Sequence, residues 1–174
     1  GMNNDSLQGD SYIIEHLRSM GAFIECAENG VVAMPSHLFG TELDCTDTPD
    51  LVPVLAVAAA VAQGTTVFTG VGRLRYKESD RLAAVSDLLA PFGITSQIGE
   101  DTFTVYGGEP VATKAVDSYN DHRIAMSAAV MSALASGVTT IKQHTCVAKS
   151  YPTFFDDFAM LGGNVESGKV KTER

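Results

Sequence analysis

Residues 82–93 read Leu82-Ala83-Ala84-Val85-Ser86-Asp87-Leu88-Leu89-Ala90-Pro91-Phe92-Gly93. Four apolar side chains recur at helical spacing, which predicts an amphipathic helix with one face in a core: Leu82, Val85, Leu88 and Leu89. The helix closes on Gly93 and is followed by two β-like segments. We call this sequence pattern, an amphipathic helix, a glycine and two β-like segments, the first phrase. It sets the organisation of the whole chain because it recurs on either side.

The helix and glycine of the same phrase also occur at residues 13–24 and 154–163. The glycines of the three copies, Gly21, Gly93 and Gly162, are 72 and 69 residues apart. A second phrase consists of an aspartate, an Ala-rich helix and a strand opened by Gly-Thr-Thr or a similar run. It spans residues 50–68 and 121–141, and its aspartates are 71 residues apart. A period of this length indicates a repeat architecture in which each unit buries its helix against its neighbours.

Interlacing the two phrases gives a βαβαββ unit of roughly 70 residues. Two copies are nearly complete, and the first is expected to be cut short, starting at its second helix over residues 6–20. The Ala-rich helices at 51–62 and 124–135 are apolar almost all round, which predicts burial at the centre of a domain. Alternating segments at 102–106 and 138–142 predict sheets outside them. The expected fold class is therefore α/β (α+β).

Composition excludes several classes of protein. The chain has 174 residues, 45% of them hydrophobic, which suffices for one domain or two small ones. Its longest apolar run, residues 51–62, contains a proline and is too short to span a bilayer, and no signal sequence opens the chain, so we expect a cytoplasmic protein without a membrane partner. The net charge of -9 argues against nucleic acid. Three cysteines, Cys26, Cys45 and Cys146, lack metal-ligand spacing, so we expect reduced core cysteines and no metal.

Residues 73–81 read Arg73-Leu74-Arg75-Tyr76-Lys77-Glu78-Ser79-Asp80-Arg81 and hold four of the twelve basic residues of the chain. An acidic protein repels anions on average, so a local cluster of cations indicates a specific small anionic ligand. A solvated face of surface salt bridges is the alternative interpretation.

Three predicted helix starts carry residue types that cap helices: Asp50, Ser79-Asp80 and Asn120-Asp121. Capping alone is one interpretation of them. However, Arg81, His122 and Arg123 fall in first turns, where a cation opposes the helix dipole and a bound anion would reverse that interaction. Two such placements at corresponding points of a repeat favour a ligand site.

Four stretches, in this order along the chain, resemble the C-terminal signatures of the EPSP synthase (3-phosphoshikimate 1-carboxyvinyltransferase) family. They are residues 48–57 with Gly64-Thr65-Thr66, residues 73–82, Asn120-Asp121-His122-Arg123-Ile124-Ala125-Met126 and Ala148-Lys149-Ser150-Tyr151-Pro152-Thr153-Phe154-Phe155. The related UDP-N-acetylglucosamine enolpyruvyl transferases share the fold but lack a counterpart of the Lys-Glu-Ser-Asp-Arg run at 77–81.

The resemblance implies an inverse α/β-prism enzyme of two similar domains, each built of three βαβαββ units. Residues 1–174 would be the C-terminal domain, with the first repeat truncated at its N-terminal side and the N-terminal domain absent. In this family the active site lies between the domains, and the N-terminal domain supplies a lysine, arginines and serines. That domain is therefore the expected partner, and this chain alone is expected to lack a complete active site.

The implied reaction transfers the enolpyruvyl group of phosphoenolpyruvate to the 5-hydroxyl of shikimate 3-phosphate, in aromatic amino acid biosynthesis. It passes through a tetrahedral intermediate and releases phosphate without a metal or organic cofactor. A non-catalytic remnant that binds phosphorylated metabolites or a partner chain is the alternative.

The resemblance also assigns roles. Asp50 would bind the 5-hydroxyl and accept its proton, and Glu78 would serve as acid and base at the methylene carbon. Lys77 would contact shikimate 3-phosphate, and Arg73, which stands where some members carry asparagine, would be a further substrate-binding residue. Three cations would hold phosphoenolpyruvate, with His122 beside them: Arg81, Arg123 and Lys149. These types suit the task, because guanidinium forks match carboxylate and phosphate, and two separated carboxylates can move two protons.

Overall fold

The computed structural model describes residues 9–27 and 30–166, so the predicted helix start at residues 6–8 lies outside them. Its helices are α1 (Ile13–Ser19), α2 (Val52–Ala60), α3 (Arg81–Leu89), α4 (His122–Leu134) and α5 (Phe154–Met160). Its strands are β1 (Ile24–Ala27), β2 (Gly30–Ala33), β3 (Glu42–Asp44), β4 (Thr65–Thr69), β5 (Thr95–Ile98), β6 (Thr102–Tyr106), β7 (Ala115–Asp117) and β8 (Thr140–Lys142).

From β3 to β6 the elements follow the predicted order of strand, helix, strand, helix, strand, strand. The four strands form one sheet in the order β3-β4-β6-β5. Strands β3 and β4 are parallel, as the crossover through α2 requires, whereas the other two pairs are antiparallel. The run β7-α4-β8-α5 repeats the first four elements of this order, and β7 and β8 are again parallel.

Helix α2 lies at the centre of the core, where it contacts α3, α4 and β6. Val52, Leu55 and Ala56 are fully buried, and small side chains let the neighbouring helices approach closely. In α4 the apolar face is narrower, with Ile124, Ala128 and Met131 buried. The prediction that Ala-rich helices are buried is thus confirmed most fully for α2.

The repeated phrase of helix and glycine is also present. The predicted stripe of α3 is buried, and the glycines that follow α1, α3 and α5, Gly21, Gly93 and Gly162, all have positive φ, at 96°, 79° and 99°. Glycine adopts this left-handed conformation without the steric cost of a Cβ atom. The need to turn the chain at the end of each helix therefore explains the spacing of these glycines.

One core prediction is wrong. Cys45 and Cys146 are buried, and burial raises the pKa of Cys45 to about 11, but Cys26 is exposed. Within the described residues β1 pairs with β2 alone, and of its four residues only Ile24 is buried. Cys26 thus lies on the exposed part of a two-stranded hairpin. Among the helices that the structure describes, none combines the length and the apolar character needed to cross a membrane.

Candidate active site

Three segments that begin helices meet at one place. Asp50 lies in the short 3-10 segment Pro49–Leu51 that leads into α2, while Arg81 and Arg123 lie in the first turns of α3 and α4. Arg81 Nη1 donates to Asp50 Oδ1 at 2.6 Å. Arg123 Nη1 donates to the Asp50 carbonyl at 3.1 Å, and its Nη2 lies 3.5 Å from Asp50 Oδ2. The packing of α3 and α4 against α2 thus assembles residues that are far apart in sequence.

Arg81 lies inside the protein, where its side chain is 1% exposed. Besides the bond to Asp50, its Nε donates to Asp121 Oδ2 at 2.7 Å and its Nη2 donates to Glu78 Oε2 at 2.6 Å. A buried charge is tolerated only when it is paired and hydrogen-bonded, and three carboxylates satisfy this requirement here. The charge of Arg81 in the first turn of α3 is therefore compensated by carboxylates of the protein itself.

Asp121 is the partner that sequence reasoning missed. It caps α4 as predicted, since its Oδ1 accepts from Arg123 N at 2.9 Å, but it is also fully buried and binds Arg81 and the hydroxyl of Ser79. The position of Asp121 in the repeat could have indicated that it binds Arg81. Asp50 and Asp121 open the two copies of the second phrase, and both accept hydrogen bonds from the same arginine.

We call Asp50, Lys77, Glu78, Arg81, Asp121 and Arg123 the ion-pair cluster. Lys77 Nζ lies 3.2 Å from Asp50 Oδ1, and the side chain of Asp50 is 35% exposed. The cluster contains three cations and three carboxylates, and Asp10 lies 3.5 Å from Arg123 Nη2. The predicted excess of cations is therefore balanced by carboxylates within the protein.

Asp50 and Asp121 are both held in their charged form. Burial raises the pKa of Asp50, but the charges of Arg123 and Arg81 and the hydrogen bond and charge of Lys77 outweigh it, so the net pKa lies below its ordinary value. Burial likewise opposes the ionisation of Asp121, and the hydrogen bond and charge of Arg81 reverse the direction and lower its pKa. Asp50 is therefore a carboxylate at neutral pH, the form that can accept a proton.

The other predicted site residues, His122, Lys149 and Arg73, are not members of the cluster, and of these three His122 lies next to it. The side chain of His122 is 12% exposed, and its Nδ1, 4.0 Å from Asp121 Oδ1, is buried with no hydrogen-bond partner among the described residues. Burial lowers the pKa of His122, which favours the neutral imidazole. Lys149 is exposed and donates to the Asn120 carbonyl at 2.6 Å. Arg73 is exposed and donates to the Thr46 carbonyl, and none of its described contacts reaches the cluster.

The site has no features of a metal centre in the part of the chain that the structure describes. No group of three His, Cys, Asp or Glu side chains there is arranged to hold a metal ion. What the cluster offers instead is a set of guanidinium and ammonium donors next to partly exposed carboxylates. This arrangement suits the exchange of an internal carboxylate for the carboxylate or phosphate of a ligand.

Comparison with solved structures defines the class of protein. An EPSP synthase from Acinetobacter baumannii superimposes with a TM-score of 0.79 at 32% identity, over 97% of this chain and 42% of the other. The enolpyruvyl transferase NikO from Streptomyces tendae superimposes with a TM-score of 0.75 at 21% identity, which shows a shared fold. The fold is therefore that of the enolpyruvyl transferases.

The sequence comparisons narrow the class to one family. Residues 1–158 match the family model of EPSP synthase (3-phosphoshikimate 1-carboxyvinyltransferase). The 3-phosphoshikimate 1-carboxyvinyltransferase of Clostridium kluyveri is 42% identical over 170 residues, and that of Methanopyrus kandleri is 43% identical over 168 residues. The chain belongs to the EPSP synthase family. The two alignments include 98% and 96% of this chain. However, the chain spans only 40% and 39% of the length of these two relatives.

Proposed function

We propose that the chain supplies the phosphoenolpyruvate-binding part of a 3-phosphoshikimate 1-carboxyvinyltransferase active site, as the C-terminal domain of an inverse α/β-prism enzyme. The observation that carries this proposal is that Arg81 and Arg123 converge on Asp50 and Asp121. Two guanidinium groups at adjacent helix starts match a ligand with two anionic groups, a carboxylate and a phosphate.

In this proposal the ligand replaces internal carboxylates. The anionic groups of phosphoenolpyruvate take over Nη donors of Arg81 and Arg123 that now bind Asp50 and Glu78. Asp50, relieved of part of its cationic contact, becomes more basic and accepts the proton of the 5-hydroxyl of shikimate 3-phosphate. Glu78, whose side chain is 46% exposed, delivers and later removes the proton at the methylene carbon. Lys77 contacts shikimate 3-phosphate.

The remaining residues act around this pair. Lys149 is a third cation for phosphoenolpyruvate, His122 supports the site as a neutral imidazole, and Arg73 contacts shikimate 3-phosphate from outside the cluster. The reaction uses no organic cofactor and takes place in the cytoplasm. The partner is the N-terminal domain of the same type of enzyme, which supplies further cations for orientation and charge stabilisation.

The test is phosphate release from phosphoenolpyruvate and shikimate 3-phosphate by this chain alone and mixed with the N-terminal domain of the Clostridium kluyveri relative. We expect no measurable release by the chain alone and release by the mixture, which the Asp50→Asn variant should abolish. Turnover by the chain alone within about a hundredfold of a typical 10 per second would contradict the need for the other domain. Failure of a mixture that demonstrably associates would favour the non-catalytic alternative.

A further inference from the structure

Of the three carboxylates that bind Arg81, only Asp121 is fully buried. Its Oδ2 accepts from Arg81 Nε at 2.7 Å and from Ser79 Oγ at 3.2 Å, and its Oδ1 accepts from Arg123 N at 2.9 Å. Asp50 and Glu78 remain 35% and 46% exposed. An anion that arrives from solvent can therefore replace Asp50 and Glu78 on the guanidinium, whereas Asp121 stays in place.

Asp121 makes its shortest contact with a different nitrogen atom of Arg81 from those that bind the two partly exposed carboxylates. Asp50 binds Nη1 and Glu78 binds Nη2, whereas the short contact to Asp121 is made by Nε on the inner side. The contact between Nη2 and Asp121 Oδ1 is long, at 3.4 Å. The Nε contact can therefore orient the plane of the guanidinium while both Nη groups remain available to a ligand.

The backbone before Asp121 adopts an unusual conformation. Tyr119 and Asn120 both have positive φ, at 52° and 56°, which side chains with a Cβ atom rarely adopt. The turn is held by bonds from Asp121 N to the Ser118 carbonyl and from Lys149 Nζ to the Asn120 carbonyl. Such strain persists only where the surroundings over-determine it, and here it brings Asp121 into contact with two arginine residues.

We propose that Asp121 is a positioning residue for substrate binding. It fixes the guanidinium plane of Arg81 through Nε and the start of α4 through Arg123 N, so that both arginines meet phosphoenolpyruvate in one geometry. This inference rests on the proposed function, because the ligand is the one that function requires. Asp121 itself touches no substrate.

The test compares the dissociation constant of phosphoenolpyruvate, measured by isothermal titration calorimetry, between the unaltered chain and Asp121→Asn. Asparagine keeps the shape of the side chain and an oxygen that can cap Arg123 N, but it removes the charge that holds Arg81. Charge alone predicts tighter binding, since a negative group near the anion is lost. Positioning predicts binding at least about tenfold weaker, because the guanidinium is no longer oriented.

Asp87→Asn is the matched control. Asp87 is exposed and accepts a hydrogen bond from the Tyr119 hydroxyl at 2.7 Å, so it touches the same turn without contacting either arginine. Its replacement should leave binding unchanged, and equal weakening in both variants would overturn the inference. Unchanged or tighter binding by Asp121→Asn would also overturn it. Absence of saturable binding by the unaltered chain would instead refute the proposed function, and the inference with it.

A second measurement needs no variant and covers the case in which Asp121→Asn does not fold. In the NMR spectrum of the unaltered chain, phosphoenolpyruvate should shift the carboxyl carbon signals of Asp50 and Glu78, whose contacts it replaces. The Nε–H signal of Arg81 and the carboxyl signal of Asp121 should move far less. Shifts of equal size in all four signals would show that Asp121 is not the fixed contact and would contradict the inference.

Discussion

At the scale of single residues, Arg81 is both a buried charge and a donor to partly exposed carboxylates. Its burial makes the charge dependent on Asp121, while two of its nitrogen atoms contact carboxylates that solvent can reach. Removing the guanidinium alone would leave the buried carboxylate of Asp121 without its counter-charge. This change should therefore lower stability more than the removal of both charged groups would.

We therefore expect Arg81→Ala to lower the free energy of unfolding by about 3–5 kcal/mol, because Asp121 would be left as an unpaired buried charge. Arg73→Ala is the control, since Arg73 is exposed and makes one bond to a carbonyl, and it should change stability by less than about 1 kcal/mol. Urea denaturation at neutral pH measures both. A loss in Arg81→Ala no larger than in the control would mean that Asp121 is not buried as described.

Arg123→Ala tests which of two opposing effects is larger. Removing a cation from the first turn of α4 relieves a dipole interaction of about 0.3–1 kcal/mol. The same change removes the bond to the Asp50 carbonyl and the contacts with Asp50 and Asp10, worth together roughly 1–2 kcal/mol. We expect a net loss and a melting temperature lower by about 2–4 °C. A higher melting temperature would show that the dipole effect is the larger one.

The candidate residues could be predicted from the sequence, but their contacts could not. Motif and helix position identified Asp50, Glu78, Arg81 and Arg123, which the structure brings into one cluster. The same position suggested only a cap for Asp121, because local sequence does not show that α3 places Arg81 Nε against it. Burial of a charge depends on the packing of separate helices, which the sequence pattern does not encode locally.

At the scale of elements, the repeated glycines and the apolar stripe of α3 predicted the helix ends well, because each depends on a few neighbouring residues. Strand length was predicted less well. The last strand was expected over residues 138–142, but β8 covers only Thr140–Lys142, and Val138 is 76% exposed. The length of a strand is set by its partner, and β7 pairs with β8 over three residues.

Gly107, directly after β6, marks the close approach of the chain to the C-terminal end of α2 and the residues that follow it. A Cβ atom at this position would lie 1.8 Å from the Ala62 carbonyl oxygen, whereas no atom of the described residues lies within 4 Å of a Cβ atom placed at Gly30. We expect Gly107→Ala to lower the free energy of unfolding by roughly 1–3 kcal/mol, since the backbone must shift. Gly30→Ala should stay within about 0.5 kcal/mol of the unaltered chain. Similar unfolding midpoints for the two variants would contradict this packing.

At the scale of the whole molecule, the ion-pair cluster should make stability depend on pH. The pKa values of Asp50 and Asp121 lie below their ordinary value in the folded chain, so the unfolded chain binds more protons in acid. The stabilisation is fully present above about pH 4 and is lost as pH falls through the lowered pKa values.

Urea denaturation in steps of pH from neutral to about 2.5 measures this loss. Asp121→Asn should be less stable at neutral pH and should show a shallower decline below about pH 4, because one of the two linked carboxylates is gone. A decline as steep as in the unaltered chain would mean that other carboxylates dominate acid unfolding.

The central claim is that this chain holds a site for phosphoenolpyruvate. Its most direct test is the melting temperature of the chain with phosphoenolpyruvate and with sodium chloride at equal ionic strength. Ligand at about tenfold excess over its dissociation constant should stabilise the chain by roughly 1.4 kcal/mol, which raises the melting temperature by about 3–6 °C, and Arg123→Ala should lose most of this increase. An equal response to chloride, or an undiminished response in Arg123→Ala, would contradict the claim.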